Sequence, residues 1–176
     1  MFVKSMIWKH TLYFVLIIGA LWSCHTKKEI TKTSHTGSHY EEIKTTIHLS
    51  DKEMQQPLYQ FINEWYGVPY KYGECSKNGT DCSGFVNALY EKIYHKHLER
   101  RAQDIFEKQC KKIKQSDIKE GDLIFFKIES KNISHIGVCL RNGKFVHAST
   151  KRGVIVSDIN EPYYQKYFYT FGRVKD

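Results

Sequence analysis

Thr80-Asp81-Cys82-Ser83-Gly84-Phe85-Val86-Asn87-Ala88-Leu89-Tyr90 is the stretch on which the reading of this 176-residue chain turns. Phe85, Val86, Leu89 and Ile93 recur at helical spacing, so a helix begins near Asp81 and runs to about His95, with Cys82 in its first turn. Helix starts carry unsatisfied N–H donors and partial positive charge, which favour a thiolate over a thiol and can donate to an oxyanion. A cysteine that fills a core sits among apolar neighbours, whereas Asp-Cys-Ser-Gly surrounds this sulfur with hydrogen-bonding groups. Cys82 is therefore a candidate nucleophile.

Upstream, Met54, Leu58, Phe61, Ile62 and Trp65 fit one face of a helix that starts at Asp51 and ends before Gly67-Val68-Pro69. A loop rich in turn residues joins it to the cysteine helix. Downstream, a third, mostly polar helix is expected between Ala102 and Lys112. Beyond Glu120-Gly121 the period changes: Asp122–Ile128, Ser134–Leu140, Lys144–Ser149, Val154–Ile159 and Phe168–Val174 are short, β-branched or aromatic, and separated by turns. Helices followed by a run of strands indicate an α+β domain over residues 51–176, with N-terminal helices packed on an antiparallel sheet of about five strands.

A thiolate nucleophile needs a histidine as proton partner and a third group to orient that histidine. His135 and His147 stand on successive strands joined through Asn142-Gly143. A two-residue turn there would set 147 opposite 138 and point the two histidines to opposite faces. A three-residue loop, Arg141-Asn142-Gly143 with the glycine left-handed, or an equivalent bulge, sets 147 opposite 137. Both imidazoles then lie on one face as diagonal neighbours, about 7–8 Å apart at the backbone. The three-residue loop or an equivalent bulge is the expectation, and two consecutive positive φ angles at Asn142 and Gly143 would overturn it.

Lys4 and Lys9 precede an uncharged stretch from Thr11 to Trp22, long enough for a signal-peptide apolar region and short for a membrane span. Leu21-Trp22-Ser23-Cys24 resembles the lipobox of bacterial lipoproteins, which makes residues 1–23 an export signal and Cys24 a lipid anchor to the cell envelope, facing the periplasm. Residues 24–50, rich in Thr, Ser, His and Lys, read as a flexible tether, with His25, His35 and His39 as linker residues rather than metal ligands. No C-x-x-C pair accompanies the histidines, so no metal site is assigned. Cys75, Cys110 and Cys139 receive no catalytic assignment; a disulfide between the first two stays open outside the cytoplasm. The formal net charge of +8 contains two lysines from the export segment, leaving +6 after cleavage. Without a basic helix or an aromatic-basic stripe, that excess does not indicate nucleic acid and suits weak attraction to an anionic wall.

Five ordered motifs carry a resemblance to a known family. Gly67-Val68-Pro69-Tyr70-Lys71-Tyr72-Gly73, Gly79-Thr80-Asp81-Cys82-Ser83-Gly84-Phe85, Gly121-Asp122-Leu123-Ile124-Phe125-Phe126, Ser134-His135-Ile136-Gly137-Val138 and Phe145-Val146-His147-Ala148-Ser149 resemble the NlpC/P60 cell-wall peptidases. The resemblance implies a papain-like fold with Cys82 as nucleophile, His135 as general base and acid, and His147 as the orienting third member. It also implies that Tyr70 sits beside the nucleophile and that Asp81, Ser83 and Ser134 line the substrate groove. Two departures stand out: the glycine pair after the tyrosine motif is Gly73-Glu74, and Glu99-Arg100-Arg101-Ala102 replaces Leu-Pro-Arg and a small hydroxyl residue, with Arg101 the nearest counterpart.

The activity so implied is cofactor-free hydrolysis, by a monomer, of an amide bond in peptidoglycan stem peptides through a thioester. The bond is either the D-Ala to diamino acid cross-link or the γ-D-Glu to diamino acid bond. A non-catalytic wall-binding lipoprotein, or an acyltransferase or amidase on the same scaffold, are the alternatives.

Overall fold

In the computed structural model the described residues are 36–176; the expected export segment, Cys24, His25 and His35 lie outside them. The described residues begin with helices α1 (Thr36–Ile47), α2 (Asp51–Met54) and α3 (Pro57–Trp65), followed by a two-stranded ribbon of β1 (Cys75–Ser76) and β2 (Gly79–Thr80). Helix α4 (Cys82–Tyr94) and the short turn α5 (Ala102–Asp104) come next. Strands β3 (Cys110–Ile113), β4 (Leu123–Phe126), β5 (His135–Cys139), β6 (Lys144–Ser149) and β7 (Gly153–Asp158) precede helix α6 (Pro162–Tyr167) and the last strand, β8 (Phe168–Val174). The main sheet has the order β3-β8-β4-β5-β6-β7, antiparallel at every pair.

Three expectations are corrected. The tether does not reach residue 50: Tyr40, Ile43 and Ile47 recur at helical spacing within the Thr- and Lys-rich stretch, and Ile43 and Ile47 are fully buried. Asn142 Nδ2 donates to the Ile47 carbonyl (2.8 Å) and Tyr66 Oη to Glu42 (2.8 Å), so α1 is fastened to the body of the domain. His39, expected in the tether, packs on Tyr66.

The single helix expected from Asp51 is two. Pro57 lacks an N–H and opens α3 at its first position, after α2 has ended. The polar helix expected at 102–112 stops early as well: α5 widens into a π turn over Ile105–Gln109, and Cys110–Ile113 pairs with β8 from Cys110↔Val174 to Ile113↔Phe171. That strand is the sixth of the sheet. Its period is hidden in sequence by Lys111-Lys112, which are exposed on an edge where lysine discourages pairing with another chain.

The sheet buries both faces. Leu123, Phe125, Ile136, Val138 and Val146 pack with Phe85, Val86 and Leu89 of α4 in one core. Ile124, Phe126, Cys139, Phe145 and Phe171 form a second core on the opposite face, where Tyr164 of α6 covers them. The alternation of β5 and β6 assigns His135 and His147 to the side of Cys139 and Phe145.

The β5–β6 turn is resolved in an unexpected way. Asn142 (φ 58°) and Gly143 (φ 69°) are both left-handed, so the turn itself is a two-residue one and the simple three-residue loop is incorrect. The register is nevertheless the expected one: Val138↔Val146 and Cys139↔Phe145 extrapolate to 137 opposite 147. Lys144 N–H donates to the Arg141 carbonyl (3.2 Å) and Leu140 N–H to the Lys144 carbonyl (2.8 Å), leaving Arg141 as the extra residue of a bulge. Arg141 pairs with Glu53 and Glu120, which fixes the bulge against α2.

Helix α1 supplies a direct check on the shortened tether. Ile47→Ala should cost about 2–4 kcal/mol of unfolding free energy, the usual loss for truncating a fully buried isoleucine, measured from denaturant midpoints. A residue in a solvated tether would cost nothing.

Candidate active site

Asp81 caps α4 with extended backbone (φ −97°, ψ 178°), and its Oδ1 accepts the Gly84 N–H at 2.8 Å. The cap places Cys82 at the first helical position, buried at 8% exposure. Burial and the neighbouring Asp81 carboxylate push its thiol up to about 11, opposed by the backbone N–H groups of Ile136, Ser83 and Cys82 itself. The Ile136 N–H belongs to the residue after His135, so the thiol lies against the backbone at the start of β5.

His135 Nε2 lies 2.8 Å from His147 Nδ1, with the two rings perpendicular and their centroids 4.9 Å apart. Gly137 sits in the register position opposite His147, and a Cβ there would fall 2.7 Å from the Phe145 ring and 3.2 Å from the His147 Cβ. Glycine at 137 is what lets the two rings approach. Burial lowers His135 to about 4. Burial lowers His147 well below the ordinary range as well, with His135 and Arg152 adding to the effect. At neutral pH the resting pair is therefore a thiol and a neutral imidazole, in place of the thiolate suggested by the helix start alone.

Tyr70 stands beside the sulfur: burial, then Cys82 and Asp81, push its phenol up to about 12. The loop carrying it is pinned to the sheet edge by Gly67 N–H to the Val154 carbonyl (2.8 Å) and Val154 N–H to the Val68 carbonyl (2.9 Å).

Asp81 is buried, and Arg100 grips it with Nη1 to Oδ1 (2.9 Å) and Nη2 to Oδ2 (2.6 Å), while Nη1 also donates to Ser83 Oγ (2.7 Å). Burial opposes ionisation of Asp81, but Arg100 and the N–H groups of Gly84 and Gly73 outweigh it and hold the carboxyl below its ordinary value. Arg100, not Arg101, is thus the arginine at the nucleophile. Leu98-Glu99-Arg100 carries the Leu-x-Arg signal one position earlier than it was read, and Leu98 is buried as its anchor. Ser134 turns elsewhere: its hydroxyl accepts from Ile128 N–H (2.9 Å) and donates to the Ile128 carbonyl (3.1 Å), closing the β4–β5 loop.

Two further residues reach the site. Ser157 Oγ and Tyr164 Oη lie 3.2 and 3.1 Å from His147 Nε2. Ser157 was findable, because 155 pairs with 147 and the diagonal rule used for His135 applies equally on the next strand. Tyr164 was not, since it depends on how α6 docks onto the sheet. Among the described residues Cys75, Cys82, Cys110 and Cys139 are free thiols, so Cys75 and Cys110 are not joined to each other.

Comparisons with known proteins place this geometry. The model of the NlpC/P60 family matches residues 67–173. The chain is 34% identical over 135 residues to the murein DD-endopeptidase MepS/murein LD-carboxypeptidase of Escherichia coli, spanning 77% of this chain and 68% of that protein. It is 33% identical over 139 residues to the probable endopeptidase NlpC of the same organism, spanning 78% of this chain and 90% of that one. Among solved structures, a lipoprotein-like NLP/P60-family protein of Staphylococcus aureus superposes with a TM-score of 0.61 at 29% identity, covering 71% of this chain and 42% of that longer chain.

The buried neutral histidines predict how stability depends on pH. Their folded pKa values lie below the unfolded value of about 6.5, so the unfolded state binds more protons between those limits. Stability is complete above pH about 6.5 and declines as pH falls toward about 4. Thermal midpoints taken across that window should show the decline, and His147→Asn should flatten it.

Proposed function

The chain belongs to the NlpC/P60 family, and from that premise we propose that it is a cysteine peptidase that cuts an amide bond in the peptide stems of peptidoglycan. The observation that carries the reading is the 2.8 Å contact between His135 and His147, together with a cysteine at a helix start whose sulfur takes the N–H of the residue after His135. A binding module has no need of two buried histidines in register with a buried thiol.

With His147 engaging Nε2 of His135, Nδ1 is the ring nitrogen left for Cys82. His135 takes the thiol proton as sulfur attacks the carbonyl carbon, and the resulting oxyanion is held by N–H groups at the start of α4. The proton passes to the leaving amine, the C–N bond breaks, and a thioester remains on Cys82. Water then attacks the thioester with His135 accepting its proton, releasing a carboxylic acid and restoring the thiol. The buried, neutral state of His135 suits a base, because an imidazole protonated at rest could not accept the thiol proton. Tyr70, Asp81 and Ser83 border the groove in this reading, with Asp81 and Ser83 held by Arg100, while Ser134 closes the β4–β5 loop. The relative named a murein DD-endopeptidase favours the D-Ala to diamino acid cross-link as the bond cut.

Residues 1–23 act as an export signal and Cys24 as the lipid anchor, which holds the enzyme in the cell envelope beside its substrate. The catalytic domain then includes α1. The net +6 of the anchored form adds weak attraction to a carboxylate-bearing polymer.

Cys82→Ala should abolish release of peptide fragments from purified sacculi while its circular dichroism and thermal midpoint stay those of the parent; mass spectrometry of the released muropeptides identifies the bond. Full activity in that variant rules the proposal out. The acid limb of kcat/KM should lie well below pH 6.5, because activity falls only as His135, lowered to about 4, becomes protonated.

A further inference from the structure

A histidine as third member of such a site creates a problem that an asparagine or aspartate would not. Its ring has two tautomers, and only one serves. If His147 carries its proton on Nδ1, it donates to His135 Nε2, which forces the His135 proton onto Nδ1 and removes the lone pair that must receive the thiol proton. If His147 carries its proton on Nε2, it accepts from His135 Nε2–H, and His135 Nδ1 is free. Something beyond the pair has to select between these arrangements.

We propose that Ser157 and Tyr164 are positioning residues that hold His147 in its Nε2–H tautomer and thereby keep His135 competent as the base. The proposal rests on the peptidase reading above and deepens it. The three groups form a closed set: His147 Nε2 to Ser157 Oγ at 3.2 Å, His147 Nε2 to Tyr164 Oη at 3.1 Å, and Ser157 Oγ donating to Tyr164 Oη at 3.3 Å. All three residues are buried, at 2%, 3% and 6% exposure, so bulk water does not compete for these bonds.

The direction of the Ser157 bond decides the tautomer. A serine hydroxyl has one proton; turned toward Tyr164 Oη, 3.3 Å away, it leaves the same oxygen only as an acceptor toward His147. The bonds then run one way: His135 Nε2–H to His147 Nδ1, His147 Nε2–H to Ser157 Oγ, Ser157 Oγ–H to Tyr164 Oη. Neither hydroxyl carries a charge, so His147 is held without being drawn into protonation. Ring orientation is fixed at the same time, because Phe145 stacks on His147 at 4.8 Å and Tyr164 meets it edge-on at 5.4 Å.

Each part has its own place in the fold. Ser157 is on β7, diagonal to His147 through the pair His147↔Ile155. Tyr164 comes from α6, whose ring lies 5.5 Å from that of Phe126 and 4.9 Å from that of Phe145. Tyr164→Phe therefore keeps the packing and removes only the hydroxyl, and Ser157→Ala removes only an oxygen.

The test compares the parent chain, Ser157→Ala/Tyr164→Phe and Ser157→Thr. Nitrogen-15 NMR of the imidazoles reports the tautomer directly. In the parent, His147 should show a protonated Nε2 and a bare Nδ1. In the double variant the His147 tautomers should mix, and kcat on a muropeptide substrate should fall about tenfold or more with KM unchanged, as expected when a buried donor loses its partners. Ser157→Thr, which keeps the hydroxyl, should retain the parental tautomer and kcat. A parental His147 protonated on Nδ1, or a double variant with unchanged tautomer and kcat, overturns the proposal. If the parent releases nothing from sacculi, the peptidase reading fails on its own, and the tautomer comparison still decides this inference.

Discussion

The hydrogen bond between His135 and His147 is the constraint on which the site depends, and it is set by a single residue of register. Side chains alternate across a sheet, so a plain two-residue turn would have sent the two imidazoles to opposite faces. The bulge at Arg141 restores the parity while Asn142 and Gly143 keep the tight left-handed turn. Arg141 is held in turn by Glu53 and Glu120, so a feature near α2, remote in sequence, stabilises the alignment of the histidines. Gly137 completes the arrangement by leaving open the space opposite His147.

Around that bond the site separates two electrostatic tasks. Asp81 and Arg100 form a charged, bidentate clamp that fixes the start of α4 and the loop through Gly73. The residues in contact with the proton path, from His135 through His147 to Ser157 and Tyr164, are neutral and buried. A carboxylate in that second group would raise the histidine pKa values and favour a resting imidazolium. Its absence from the contacts of His147 keeps His135 able to accept a proton at neutral pH.

Most of the fold was legible because the cysteine helix and five of the strands each follow one clean period. Cys82–Tyr94 and Lys144–Ser149 agree with the sequence reading to within a residue at each end. The elements that escaped are those whose signal is diluted or non-local. Helix α1 spreads its apolar face thinly through polar residues, and β3 shows two lysines where a strand would show alternation. At the site, Cys82, His135 and His147 could be proposed from spacing and turn chemistry. Arg100 was missed by one position in a weakened motif. Tyr164 required knowledge of how α6 lies on the sheet, which no local pattern encodes.

The central claim is that Cys82 reacts because His135 removes its proton, and a slow alkylating reagent followed by peptide mapping tests it with an internal control. Among the described residues Cys75 is the exposed thiol and Cys82 is one of three buried ones, so accessibility alone favours labelling at Cys75 over Cys82. The account predicts that loss of peptidase activity follows the label on Cys82, and that His135→Ala slows labelling of Cys82 while leaving Cys75 unchanged. Inactivation that follows Cys75, or a Cys82 rate indifferent to the loss of His135, would contradict it.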